Sequence, residues 1–328
     1  MIGTLRRVNR RLGNPARVLG RAREMIEPRM RMVLYERDRQ ARIRKYASAG
    51  LDFQLHPDVL QQLERDGYAV LRAVVDRDLL LRIRDQAEAH LNAGTSLVPI
   101  SKDSARPRGD LSAPRVYLTA EETRRGQAYF RQHTNYVSIA NPLVSCPAVV
   151  PVAFHRLLGD IAYTYLGCVP AIGGLNLRKS FVNDIPEFDT LFFHIDPNSP
   201  KFLKFFFYLN DVDLEGGPFC YVRGSHRRRF QGWMRKGRWT PEEIETIYGR
   251  EDIVYLTANV GDMIVADTNG FHRGTKAVSR DRTMLTVDYV IHQEFYGTQS
   301  VELFQIPASV YETMGPRERA LADFLQVV

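Results

Sequence analysis

The sequence predicts a mainly β domain with flanking helices, an α+β chain whose strands close into a sandwich or jelly roll. Short runs rich in β-branched and aromatic residues crowd the second half: Leu175–Val182, Leu191–Ile195, Phe202–Leu209, Phe219–Val222, Ile253–Leu256, Met263–Ala266 and Thr283–Ile291. Gly, Pro, Asn and Asp separate them, which is the pattern of many short strands rather than of alternating strands and helices. With 328 residues, 44% hydrophobic and 25% charged, the chain can bury a full core, and one large domain with an appendage follows.

The appendage comes first. In residues 1–48, Ile2, Leu5, Val8 and Leu12 recur at helical spacing with Arg6, Arg7, Arg10 and Arg11 between them. This predicts a basic amphipathic helical arm, interrupted near Pro15 and resumed toward Met30–Leu34. Residues 1–45 carry thirteen arginines and one lysine against Glu24, Glu27, Glu36 and Asp38, a net of +10 in a chain of +7, so the remainder stands at −3. A body of that sign does not suggest nucleic-acid binding. Three roles fit the arm: a helix packed on its own domain or on a second subunit, peripheral attachment to an anionic membrane or lipid substrate, or a cleaved transit peptide. Cys146, Cys168 and Cys220 are too few and too far apart for a disulfide framework, and no apolar run is long enough to span a bilayer. The expected location is therefore cytoplasmic, with peripheral membrane contact through residues 1–45 left open.

Residues 49–328 form the expected main domain. Pro57–Asp66 reads as a helix stopped by Gly67, Tyr68–Leu71 as a short strand, and Asp76 or Asp78 as the cap of a helix running through Leu91. Residues 92–147 are weakly patterned, with one helical piece near Ala120–Phe130, and so long an insertion predicts a lid or substrate-binding segment that His133, Asn135 and Tyr136 would line. Val149–Leu166 reads as a buried helix. In the strand from Leu203 to Leu209 the odd positions are all apolar, while Lys204, Phe206 and Tyr208 alternate with them and should face the barrel mouth. Thr240-Pro241-Glu242-Glu243 predicts a capped helix start within the excursion Trp233–Tyr248.

The chemistry is expected where two strand-like runs end. His194 and Asp196 stand two residues apart, so an extended backbone points both the same way. Gly261 to Gly274 delivers His272 to a Gly-bounded corner. Two histidines and one carboxylate without cysteine make the facial triad that suits non-haem Fe(II) and leaves positions open for oxygen chemistry. A hairpin centred near Ala277 would place Arg282 opposite His272, where a guanidinium could grip the far carboxylate of a diacid chelating the metal. Arg273 and Arg280 compete for that role.

Over roughly residues 58–295 the chain resembles the phytanoyl-CoA dioxygenase family of Fe(II)/2-oxoglutarate oxygenases. The resemblance rests on Asp66 to Leu71, His194-Ile195-Asp196, Tyr208 to Val212 leading to Glu215-Gly216-Gly217-Pro218, then Gly224-Ser225-His226, Gly261-Asp262, His272 and Arg282. Arg223 departs from the proline usual in the family, in a turn remote from the chemistry. The resemblance implies a double-stranded β-helix (jelly-roll, cupin-like) core, iron held by His194, Asp196 and His272, and the cosubstrate 2-oxoglutarate paired with Arg282 and bordered by Asn176 and Phe206. It implies hydroxylation of an unactivated C–H bond with O2, giving succinate and CO2. Related halogenases carry a small residue in place of the carboxylate, so the intact Asp196 points to hydroxylation. The substrate would be a small molecule or, given the basic arm, a lipid-linked or anionic one. His226 reads as a turn residue rather than a ligand. Two alternatives remain: a non-catalytic jelly-roll binding protein, and a metal-dependent cupin-type enzyme that does not use 2-oxoglutarate.

Overall fold

A computed structural model describes residues 15–105, 115–196, 199–234, 236–292 and 304–328. Nine strands build two antiparallel sheets: β1 (Tyr68–Leu71), β2 (Tyr136–Ile139), β3 (Ala171–Ser180), β4 (Leu203–Tyr208), β5 (Phe219–Val222), β6 (Ile253–Leu256), β7 (Met263–Ala266), β8 (His272–Gly274) and β9 (Arg282–Val290). The large sheet has the order β1-β7-β4-β9-β3-β2 and the small one β6-β5-β8. Backbone pairs Phe193↔Trp239 and His194↔His272 widen the small sheet beyond β8.

Strand parity divides the core. On β4, Leu203, Phe205 and Phe207 face the helices together with Leu285, Val287 and Tyr289 of β9, and with Leu80, Ile83 and Ile161 from the helical layer. Phe206 and Tyr208 face the other way and pack between the sheets on Phe219, Tyr221, Leu256 and Ile264. The alternation read in the sequence is thus the physical division between the helix-backed core and the barrel interior. Tyr208 pins the sheets together: its hydroxyl donates to Leu256 O at 3.0 Å and accepts from Phe219 N at 2.7 Å.

Local signals held where chemistry set them. Asp76 accepts from Leu79 N at 2.9 Å and starts the helix Arg77–Ala93, Gly67 ends the helix Pro57–Asp66 at φ 87°, and Thr240 with Glu243 forms a capping box. Other expectations changed. Val149–Leu166 is two helices, Val149–Ala153 and Arg156–Leu166, because His155 leaves helical geometry at ψ 132°. The piece near Ala120–Phe130 is likewise two, Ala120–Thr123 and Gln127–His133, split where Gly126 takes φ 71°. A Cβ there would lie 2.6 Å from Asn92 O, so this crossing requires glycine. Leu191–Ile195 is not a strand: a 3-10 turn occupies Asp189–Leu191 and only isolated bridges follow. Strand β2, inside the segment expected to be irregular, forms the edge of the large sheet.

Ile2–Leu12 lies outside the described residues; the helix described in the arm runs Pro15–Tyr46 and includes Met30–Leu34. Its last turns pack on the domain. Arg42 is 5% exposed and donates to Val169 O at 2.6 Å, to Pro170 O at 3.2 Å and to Asp323 at 3.0 Å, while Lys45 reaches the same carboxylate at 2.6 Å. Removing a partner from so buried an ion pair typically costs about 3–5 kcal/mol. Arg42 and Lys45 at this end of the arm are therefore bound to protein groups. Among the described residues no helix is long and apolar enough to cross a membrane. All three cysteines are free and buried.

Candidate active site

His194 and His272 meet because their backbones exchange both hydrogen bonds of an antiparallel pair, His194 N to His272 O at 2.9 Å and His272 N to His194 O at 3.0 Å. Their rings stand 4.3 Å apart between centroids. Each Nδ1–H donates to the carbonyl two residues earlier, His194 to Phe192 O and His272 to Gly270 O, both at 2.9 Å. A carbonyl only accepts, so both rings are held in the tautomer that leaves Nε2 a free lone pair. Burial disfavours the imidazolium in both: His194 is pushed down to about 3, with His272 as a neighbour, and His272 is lowered too. Neutral imidazoles are what a metal ion needs.

Asp196 completes the set. Its N–H donates to Thr268 O at 3.0 Å, and its carboxylate lies 3.7 Å from His194 Nε2 and 3.6 Å from His272 Nε2. The three ligand atoms lie within 4.8 Å of one another. The corner behind His272 is shaped by Tyr221, whose hydroxyl donates to Asp267 O at 2.8 Å. A Cβ on Gly270 would stand 1.9 Å from that hydroxyl, so the turn into β8 admits only glycine.

Lys204 and Asp288 sit directly behind the carboxylate. In the register of the large sheet Gly174, Asp288 and Lys204 form one row across β3, β9 and β4, all on the inner face. Lys204 Nζ lies 2.9 Å from Asp196 Oδ2 and 3.4 Å from Asp288 Oδ2. Burial opposes the charge of Asp196, but the Lys204 ammonium outweighs it and holds the carboxyl below its usual range. Lys204 is in turn raised, because its two carboxylates outweigh its burial, while burial pushes Asp288 up. Gly174 provides the space: a Cβ there would stand 3.0 Å from Asp288 Oδ2. Lys204 thereby occupies Oδ2 and leaves Oδ1 of Asp196 for an ion.

The triad lines a cavity of about 130 Å³, into which Arg282, Asn176 and Phe206 also project. Arg282 is 4% exposed; its Nη2 donates to Ser180 Oγ at 3.2 Å, and its Nε and Nη1 have no partner among the described residues. Asn176 Oδ1 is likewise buried and unpartnered. The expected hairpin is not what brings Arg282 here. His272 pairs with Tyr221 in the small sheet and Arg282 with Ser180 in the large one, so the chain between them crosses from sheet to sheet and the two side chains face each other over the mouth. Of the rival arginines, Arg280 pairs with Asp213 at the surface and Arg273 with Leu191 O at 3.2 Å and Glu187 at 3.5 Å. His133 is outside the cavity and accompanies Ser104, and His226 lies against Gly67. Sequence reasoning missed Asp288, Arg178 and the part played by Lys204; the signal was available as charged residues at inward-facing strand positions.

A second cavity, of about 310 Å³, adjoins the first and shares Tyr136, Asn176, Arg178 and Thr190 with it.

A family model described as Phytanoyl-CoA dioxygenase (PhyH) matches residues 63–284. The chain belongs to this family. It is accordingly an Fe(II)/2-oxoglutarate-dependent oxygenase, whose cofactors are Fe(II), 2-oxoglutarate and O2. A phytanoyl-CoA dioxygenase family member is neither a non-catalytic binding protein nor a cupin-type enzyme without 2-oxoglutarate, and both alternatives fall. No curated protein matches the sequence. Among solved structures the chain is similar to the non-heme alpha ketoglutarate dependent epimerase SnoN from nogalamycin biosynthesis, at 17% identity and TM-score 0.52, over 71% of this chain and 82% of that one. SnoN in complex with Fe3+, alpha ketoglutarate and nogalamycin RO matches at 16% identity and TM-score 0.51, over 74% of this chain and 91% of that one. These likenesses show the shared jelly-roll fold.

Proposed function

We propose that this oxygenase hydroxylates an unactivated C–H bond of a small organic substrate, with Fe(II) held by His194, Asp196 and His272 and the far carboxylate of 2-oxoglutarate held by Arg282. The observation that supports this most is the pairing of two needs in one cavity. A neutral-histidine and carboxylate set opens on the same space as a buried guanidinium with two unsatisfied nitrogens. A dicarboxylate chelating at one end and forked at the other answers both. When bound, iron with 2-oxoglutarate and O2 supplies the oxidising power, and the balance is substrate, 2-oxoglutarate and O2 to alcohol, succinate and CO2. The protein's part is to hold and orient: Phe192 O and Gly270 O fix the imidazoles, Lys204 keeps Asp196 ionised and single-handed, and Asn176 and Phe206 border the cosubstrate. An aspartate in the third ligand position leaves no coordination place for a halide, which favours hydroxylation.

Residues 92–147 supply much of the wall of the larger cavity, from Val98, Ile100, Arg115, Tyr136 and Ile139. This supports reading them as the substrate-binding segment of the domain 49–328, with residues 1–48 as an arm. At the domain end of the arm, Arg42 and Lys45 are engaged with the domain itself.

Adding 2-oxoglutarate to the anaerobic Fe(II) protein should give the weak visible charge-transfer band of a chelated 2-oxo acid. Uptake of iron with no such band would sink the assignment. Lys204→Met should lower Fe(II) affinity by about 10–100-fold, the usual cost of losing a group that orients a metal ligand. Lys204→Arg should restore part of it. Unchanged affinity in anaerobic equilibrium dialysis would mean that Lys204 serves the sheet and not the site.

A further inference from the structure

Arg178 lies on β3 two residues from Asn176 and Ser180, on the same inward face, and its side chain stands in the wall common to both cavities. Its guanidinium stacks on Tyr136 at 4.0 Å, which fixes the plane of the fork. Among the described residues, the protein partners of its N–H groups are two hydroxyls, Ser138 Oγ at 3.4 Å and Thr190 Oγ1 at 3.5 Å, the long limit of a hydrogen bond. It makes no ion pair among the described residues. The cations around it are already answered. Arg115 and Arg238 share Asp189 at 2.8 and 2.6 Å, and Arg273 lies 3.5 Å from Glu187. Arg282, in the smaller cavity, is taken by the cosubstrate on the reading above. Of the described guanidiniums around the two cavities, Arg178 is thus the one left for another anion.

The larger cavity gives the rest of the ligand its character. Val98, Ile100, Ile139 and Leu175 provide apolar wall, and Ser101 and Thr134 add hydroxyls. A guanidinium preorganised by stacking, at the junction of the metal cavity and a mixed chamber whose Asp189 is already shared by Arg115 and Arg238, would anchor an organic anion by one end and lay its body along the shared wall. We propose that Arg178 is the anion-binding end of the primary-substrate site, and that the substrate is a small organic molecule carrying a carboxylate or phosphate group. This rests on the oxygenase reading and names the substrate class of that same site.

The test is calorimetric titration of benzoate, phenyl phosphate and the neutral benzyl alcohol into the Mn(II) protein saturated with 2-oxoglutarate, so that Arg282 is occupied. Wild type should bind one of the two anions at least about tenfold more tightly than the alcohol, the value of one charge-assisted contact. Which anion wins tells carboxylate from phosphate. Arg178→Gln should abolish the preference, Arg178→Lys should keep part of it, and 2-oxoglutarate itself should bind Arg178→Gln as it binds wild type. Equal binding of anions and alcohol, a preference that survives in Arg178→Gln, or a loss of 2-oxoglutarate binding as large as in Arg282→Gln would each overturn the proposal. The last result would place Arg178 in the cosubstrate site. Failure of the oxygenase reading shows separately, as 2-oxoglutarate that does not bind wild type. In that case the anions are titrated into Arg282→Gln with Mn(II) alone, where the same preference and its loss on adding Arg178→Gln decide.

Discussion

Arg282→Gln leaves the folded protein at least as stable as wild type in the absence of cosubstrate, and weakens 2-oxoglutarate binding by roughly a hundredfold, about 3 kcal/mol. Both halves follow from one fact: the guanidinium is buried with Nε and Nη1 unpartnered, so without cosubstrate the protein carries a desolvated cation with no anion opposite it among the described residues. Burial accordingly draws its pKa down. Replacing it with a neutral amide removes that cost, whereas the bound state loses a forked, charge-assisted contact in a site screened from water. Anaerobic thermal melts separate the two. At a 2-oxoglutarate concentration of about 100 times the wild-type Kd, wild type gains about 2.7 kcal/mol and its midpoint rises by several degrees. The variant, near its own Kd at that concentration, gains about 0.4 kcal/mol. A variant protected as well as wild type would show that Arg282 does not hold the cosubstrate.

His272→Ala should reduce Fe(II) affinity by at least about a hundredfold and bring turnover to background. Losing even a group that merely orients a metal ligand costs up to that much. The fold should survive. The backbone pair between residues 194 and 272 does not involve the side chain, and Phe219, whose ring centroid lies 5.5 Å from the imidazole, still covers the space. A stability loss of about 1–2 kcal/mol, ordinary for a single buried truncation, is expected. Equilibrium dialysis with Fe(II) under anaerobic conditions, alongside a denaturation curve, checks both. Retained iron affinity in a folded variant would remove His272 from the ligand set.

The spacing of His194 and Asp196 predicts a strand, and the strand is absent, yet the two side chains converge because extended backbone alternates its side chains with a period of two even outside a strand. Parity within a hairpin predicts the place of Arg282, and that hairpin does not form. The inward direction of Arg282 comes instead from β9, where it shares a face with Met284 and Thr286. The break at Gly126 carries a local signal, the glycine itself, and the close approach of Asn92 O demands it, whereas no glycine marks the break at His155.

By itself the sequence determined the α+β class with its jelly-roll core, the helix caps, the inward face of β4 and the residue types of the triad, because each depends on backbone periodicity or on hydrogen bonds within a few residues. Only the tertiary structure decided the pairing of His194 with His272, the row Gly174, Asp288 and Lys204 behind Asp196, and the place of Arg178 between two cavities. Those are matters of register between strands far apart in the chain. Register is set by how two sheets share one core, a balance of packing that no local stretch of sequence contains.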